Sequence, residues 1–275
     1  MSQPIITVVG SFAVGLTIRT PHMPVIGETL RGSDFDMGPG GKGSNQAVGT
    51  ARLGAQSSFV GLLGDDKLAD IALDLYHAEG VDTTYLKQTG ERATGVGFII
   101  LNAQGENFII LDMAANDLMD AAFVDGAEAQ IARSRVVMSV LEIPVAAAAR
   151  AMQLGKQHGV TTILNPAPAA PLPDSIFQHI DILTPNESEL RILMGLRPDD
   201  PTPTPALAHQ LKARGVRTLV VTQGEKGAII YGDDGMTEVP SIGVEVVDTT
   251  GAGDAFNSGL AVAVAEGRPL VEAVR

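Results

Sequence analysis

Three features of the sequence predict an α/β fold: a central, mostly parallel β-sheet flanked by helices, with a small β-sheet lid. From about residue 120 onward, apolar strand-like runs alternate with segments of helical period, the rhythm of a parallel sheet covered on both faces. Two earlier stretches, read as lid strands from about 12–37 and 94–112, break that rhythm with extended, turn-rich sequence. Hydrophobic residues make up 45% of the chain but aromatics only 4%, so aliphatic side chains and Ala are expected to fill the core. A length of 275 residues fits a single domain over 1–275.

In chain order, Ile5–Val9 is a short apolar strand ending at Gly10. Thr17–Met37 carries Pro21, Pro24 and Gly27, which favour extended strands and turns. Lys42–Leu53 follows a Gly cluster and places Ala47, Val48 and Ala51 at helical spacing. Ser57–Leu63 reads as a strand, and Asp66–Glu79 as a helix ended by Gly80. Gly95–Leu101 and Asn107–Leu111 read as a hairpin around Asn102–Gly105. Then follow strand Val136–Val140, helix Val145–His158, strands Thr161–Leu164 and Ile180–Leu183, helices Glu187–Met194 and Pro205–Arg214, and strand Thr218–Val221. Pro198–Pro205 is a surface loop. Leu270–Arg275 reads as the opening of a helix, and a C-terminal portion is expected to be missing.

The totals exclude several functions. A net charge of −13 argues against partners that need a basic surface, so neither nucleic acid nor an anionic membrane is expected. The chain has no Cys, which removes thiol nucleophiles, disulfides and Cys-ligated metals and fits a cytoplasmic protein. The N-terminus has no basic flank, and no stretch approaches the ~20 apolar residues of a membrane span.

The segment Asp248–Phe256 (Asp-Thr-Thr-Gly-Ala-Gly-Asp-Ala-Phe) carries the most chemistry. Gly251 and Gly253 precede a helical pattern of Phe256, Leu260, Ala261 and Val264, so the backbone N–H groups near Ala252, Gly253 and Asp254 open a helix with no bulk in the way. A helix start carries roughly half a positive charge and unpaired donors, which attract anions such as phosphate. Asp254 sits in the same turn, and an anion hole beside a carboxylate is what phosphoryl transfer to an alcohol needs. An ordinary first-turn acid in a Gly loop is the plainer alternative from this segment alone.

A second cluster, Gly38-Pro39-Gly40-Gly41-Lys42-Gly43-Ser44-Asn45, matches the dinucleotide pattern G-x-G-x-x-G at 38, 40 and 43. It lacks the preceding core strand which that use requires, and it is not a Walker A loop. Glycines that let a hydroxyl-rich ligand approach, with Lys42 and Asn45 as donors, are one reading; a Gly-rich turn with a solvated Lys is the other.

Together these segments resemble the two signatures of the ribokinase-like (PfkB) family of carbohydrate kinases, most of all its ribokinase branch. The similarity extends to Gly27-Glu28-Thr29, Ala51–Ala55, Gly64-Asp65-Asp66, Asn165–Pro168 and Thr184–Glu187. The resemblance implies a ribokinase-like fold and ATP-dependent phosphorylation of a hydroxyl, a primary one, on a pentose or related sugar. It implies Asp254 as base, the 251–254 turn (Gly251, Ala252, Gly253) as anion hole, and Gly41, Lys42, Gly43, Asn45 and Glu142 as sugar-binding residues. Asn186, Thr222, Gly224, Gly227 and Gly253 are implied at the ATP, Glu189 at Mg²⁺ through water, and Asp248 and Thr250 at a monovalent cation such as K⁺. For Asp248 and Thr250, turn formation and capping are an equal alternative. A homodimer paired through the lids is also implied.

One departure concerns the sugar. Where the ribokinase branch carries an Asn-x-Asp pair that holds sugar hydroxyls, this chain has Ala13 and Gly15. A site without that carboxylate loses discrimination for vicinal hydroxyls. A different sugar, a nucleoside or other sugar derivative, and a non-catalytic sugar-sensing role are the alternatives this opens.

Overall fold

The computed structural model describes residues 3–246 and 248–275. Its elements run β1 (Ile5–Val9), β2 (Ala13–Thr20), β3 (Ser33–Gly40), α1 (Lys42–Arg52), β4 (Gln56–Gly64), α2 (Lys67–Glu79), β5 (Asp82–Thr89), β6 (Gly95–Asn102) and β7 (Asn107–Asp112). They continue as α3 (Ala121–Asp125), α4 (Glu128–Ala132), β8 (Val136–Val140), α5 (Val145–Gln157), β9 (Thr161–Asn165), α6 (Asp174–Phe177), β10 (Ile182–Leu183), α7 (Glu187–Leu193) and α8 (Thr204–Ala213). The last are β11 (Thr218–Thr222), β12 (Ala228–Gly232), β13 (Gly235–Val239), α9 (Ala252–Ala265) and α10 (Leu270–Val274).

Nine strands form the main sheet in the order β13-β12-β11-β10-β9-β8-β1-β4-β5. It is parallel from β5 to β11, and β12 and β13 add an antiparallel edge. Strands buried on both faces need no polar alternation, and β8 (Val-Val-Met-Ser-Val) is buried throughout. One face packs on α3–α8 through residues such as Val137, Leu164 and Leu219, the other on α1, α2 and α9 through Ile6, Phe59 and Leu260. The strand at 180–183 is shorter than the sequence suggests, only Ile182–Leu183. Three strands, β5, β12 and β13, lie outside the sequence reading; β12 and β13 turn through Asp233-Asp234-Gly235, with Gly235 at φ 104°.

A four-stranded sheet, β3-β2-β6-β7, forms the lid. β2 continues from β1 with Phe12 and Val14 in the core, so Ser11, Ala13 and Gly15 turn to the opposite side. The base of the lid is tied to α2: Asp66 caps that helix through the Leu68 and Ala69 amides and also binds the Thr94 amide and hydroxyl.

Two close backbone approaches place the site. A side chain at Gly43 would meet the backbone of Gly10 and Ser11 within 2.7 Å, so α1 starts hard against the end of β1. A side chain at Gly49 would collide with the Ser258 side chain on α9, so α1 and α9 pack closely there. The Ser258 hydroxyl donates to the carbonyl of either Asp254 (2.8 Å) or Gln46 (3.2 Å), at the start of both helices.

Candidate active site

The site gathers where the parallel strands end and α1, α7 and α9 begin. Asp254, in the first turn of α9, is 6% exposed. Its Oδ2 accepts from Asn45 Nδ2 (2.9 Å) and its Oδ1 from Gln46 Nε2 (3.1 Å), both on α1. Thus Asp254 and Asn45, 209 residues apart, meet as the motifs suggest.

Gly251 precedes α9 in the left-handed region, φ 73°, where Gly carries no steric cost. The structure modifies the expected three-amide hole here. The Ala252 N–H closes the turn onto the Thr249 carbonyl (3.1 Å), which leaves the Gly253 and Asp254 amides without an acceptor among the described residues. Asn257 supports this turn by donating to the Gly253 carbonyl (2.8 Å).

The Gly cluster at 41–43 has a packing reason that the sequence reading gave to a ligand. Gly41 has φ 91°, and a side chain there would meet Phe12 and Ala13 backbone at 2.8 Å. Glu142, past the end of β8, binds this loop: its Oε2 accepts from Ser11 Oγ (2.6 Å) and the Lys42 N–H (2.7 Å). One carboxylate oxygen therefore holds the loop. Ala13 and Gly15 follow on the same strand, β2. A side chain at Gly15 would find its nearest neighbours at 3.7 Å, so the wall has room there.

Asn186 caps α7 by accepting from the Glu189 N–H (2.8 Å), and Glu189 Oε2 returns the bond to the Asn186 N–H (2.8 Å). The two residues form a complete capping box. It leaves Asn186 Nδ2 and Glu189 Oε1 facing a cavity of about 220 Å³ shared with Lys42, Gly253 and Asp254. Burial pushes the Glu189 carboxyl above its ordinary range, opposed by the Asn186 N–H and by Lys42 and reinforced by Asp254.

A second cavity of about 310 Å³ adjoins the first and shares Thr222, Ala252 and Gly253 with it. Gly224, Val239, Ile242 and Phe256 line it, giving a mostly apolar slot that opens onto a polar one. Gly227 shapes this slot because a side chain there would run into Val239–Ser241. Larger hollows of about 660 and 820 Å³ lie at the opposite, N-terminal ends of strands, beside Thr161 and Thr218 and beside Ile5. They contain none of the candidate site residues. The rule that open α/β sheets bind ligands beyond strand C-termini favours the smaller pair. Asp248 and Thr250 lie apart on an exposed loop, where Asp248 Oδ1 accepts the Thr250 N–H (2.8 Å). That bond above all holds the Asp248 carboxyl below its ordinary range.

Sequence reasoning missed the supporting circuit. Gln46 Nε2 also donates to Asn165 Oδ1 (3.2 Å), Asn165 Nδ2 to the Thr184 carbonyl (3.2 Å), and Thr184 Oγ1 to Asn257 Oδ1 (2.6 Å). These buried groups join α1, the ends of β9 and β10, and α9. Polar residues at predicted strand ends were the only available signal.

Comparison with known proteins agrees with this geometry. The pfkB family carbohydrate kinase profile matches residues 5–275. A ribokinase of Haemophilus influenzae is 37% identical over 270 residues, covering 98% of this chain and 88% of that protein. A deoxyribokinase of Salmonella typhimurium is 37% identical over 252 residues, covering 91% and 82%. The structure of Arabidopsis thaliana ribokinase complexed with ribose and ATP superposes with a TM-score of 0.88 at 29% identity, covering 100% of this chain and 89% of that one. The chain is therefore a member of the pfkB family of carbohydrate kinases.

Proposed function

We propose that this chain transfers the γ-phosphate of ATP to a primary hydroxyl of a pentose or related sugar, with Asp254 as the base. The observation that carries the reading is that the Asp254 carboxylate and the Gly253 and Asp254 amides open onto one cavity. The apolar slot takes the adenine. The triphosphate crosses Thr222 and Gly253 into the polar cavity, where Asn186 Nδ2 and Lys42 add donors. The sugar lies under the lid between Glu142, Asn45 and Asp254. A carboxylate is too weak a base to ionise an alcohol outright at neutral pH, so it accepts the proton late, as the loose transfer state develops. The ribokinases and the deoxyribokinase among the relatives support a pentose.

The donor chemistry fits Mg²⁺. Among the described residues no three His, Asp or Glu gather to hold a metal unaided. Besides Asp254, read as the base, one carboxylate, Glu189, lines the phosphate cavity, and Mg²⁺ keeps several waters and takes few protein ligands besides phosphates. Glu189 would hold it through water, and the ion supplies neutralisation of phosphate charge. Asp248 and Thr250 offer hard oxygens suited to K⁺.

Ala13 and Gly15 favour a second acceptor class, a sugar derivative such as a nucleoside, because they leave that wall without hydrogen-bonding side chains. The lids supply a dimer surface: Met37, Phe98, Phe108 and Ile110 lie on one face and are each 48–55% exposed. The same reading places the enzyme in the cytoplasm, with its supply of ATP, and cell fractionation tests that.

ADP production is expected with Mg²⁺ and one acceptor in a panel of pentoses, deoxysugars, hexoses and nucleosides, with a parallel K⁺ titration. Asp254→Ala should lower it by about 10³-fold or more while ATP still binds. Wild-type turnover in that variant would remove Asp254 as base. Sedimentation should give a dimer that Phe98→Glu dissociates; a wild-type monomer at micromolar concentration would contradict the lid surface.

Glu189 yields a pH-dependent stability prediction. Its pKa is raised on folding, so the native state holds the proton more tightly. Stability therefore falls as pH rises from the unfolded to the folded pKa and stays lower above it. Glu189→Gln should raise Tm by about 1–3 °C at pH 7 and leave it nearly unchanged at pH 4, while weakening turnover at low Mg²⁺. A lower Tm at pH 7 would contradict this.

A further inference from the structure

Gln46 is fully buried, and its amide orientation is dictated by its neighbours. Nε2 has two protons and two acceptors, Asp254 Oδ1 (3.1 Å) and Asn165 Oδ1 (3.2 Å). Turned over, Oε1 would face a carboxylate and an amide oxygen. Asn165 cannot compensate by turning, because its own Nδ2 is committed to the Thr184 carbonyl.

This arrangement leaves Gln46 Oε1 buried with no donor among the described residues. An unsatisfied buried acceptor is a burden on the fold, and a Leu or Met of similar size would fill the position without it. The donor end must therefore matter more than the stranded oxygen. It meets the one side chain in the cavity read as a base.

We infer that Gln46 is a positioning residue that fixes the rotation of the Asp254 carboxylate, committing Oδ1 to the protein and reserving Oδ2 for the acceptor hydroxyl. The inference rests on the reading of Asp254 as base. Oδ2 is the oxygen on the open side, where it is bonded by the amide of the exposed Asn45, which an incoming hydroxyl can displace. As the acceptor oxygen bonds to the γ-phosphorus, the bond from that phosphorus to the β–γ bridging oxygen breaks. The bonding pair leaves with ADP, and the hydroxyl proton passes to Oδ2. Without Gln46 the carboxylate is free to rotate, and a displacement of about 1 Å at a reacting group costs up to roughly 100-fold in rate.

The test compares Gln46→Leu and Gln46→Glu with wild type in the full chain, using the acceptor found in the panel. Gln46→Leu removes the donor, and Gln46→Glu replaces the neutral amide with a second carboxyl set against Asp254. We expect kcat to fall about 10–100-fold with KM for ATP and acceptor within about twofold, and Gln46→Leu to melt at or above the wild-type temperature. On an Asp254→Ala background, Gln46→Leu should cause no further loss of the residual single-turnover rate. Should the Leu variant not fold, Gln46→Met is read by the same criteria. An unchanged kcat would overturn the inference. So would a loss confined to KM, a loss that tracks Tm, or an equal loss on the Asp254→Ala background. Full turnover by Asp254→Ala alone would instead remove the base assignment beneath it, so the two failures are distinguishable.

Discussion

The contact between α1 and α9 is the constraint on which the chemistry depends. Each helix begins at the same end of the sheet, and each brings one half of the site: α1 the amides of Asn45 and Gln46, α9 the carboxylate and two backbone donors. They can share that space only because Gly49 carries no side chain opposite Ser258. A larger residue there would part the helices and lengthen both hydrogen bonds to Asp254. The close approach of Gly43 to Gly10 and Ser11 sets the height of α1 against the sheet in the same way.

Around this contact the protein commits one end of each polar group to the fold and leaves the other open or, at Asp254 Oδ2, bonded only by the exposed Asn45. Glu142 gives one oxygen to Ser11 and Lys42, Asn186 and Glu189 satisfy each other's backbone, and Asp254 gives one oxygen to buried Gln46. A group half committed to protein is held in orientation before any ligand arrives, so little reorganisation remains for the reaction. The buried circuit through Asn165, Thr184 and Asn257 extends that order to the strand ends. Glu189 shows the cost: burial of its carboxyl disfavours the charge that a cation would welcome.

What could be read from sequence was what is local. Small residues before a helical apolar period announce an open helix start, and Gly251 adopts the left-handed conformation that such a start uses. The parallel sheet and the lid were legible from strand and helix rhythm. Gln46 was not, because its partners lie 119 and 208 residues away and nothing in its own segment points to them. Nor was the reason for Gly41 and Gly43, since the backbone they meet belongs to residues 10–13. The bond from the Ala252 amide to Thr249 was not legible either, because that turn depends on the loop's path, not its composition. β12 and β13 escaped because an edge hairpin breaks the alternation that identified the rest.

The most direct test of the account is a crystal structure with Mg²⁺, a non-hydrolysable ATP analogue and the acceptor sugar bound together. The account places the terminal phosphate within hydrogen-bond distance of the Gly253 and Asp254 amides, and the acceptor hydroxyl on Asp254 Oδ2 with Oδ1 still bonded to Gln46. A terminal phosphate held away from the start of α9, or an acceptor hydroxyl out of reach of Asp254, would contradict it.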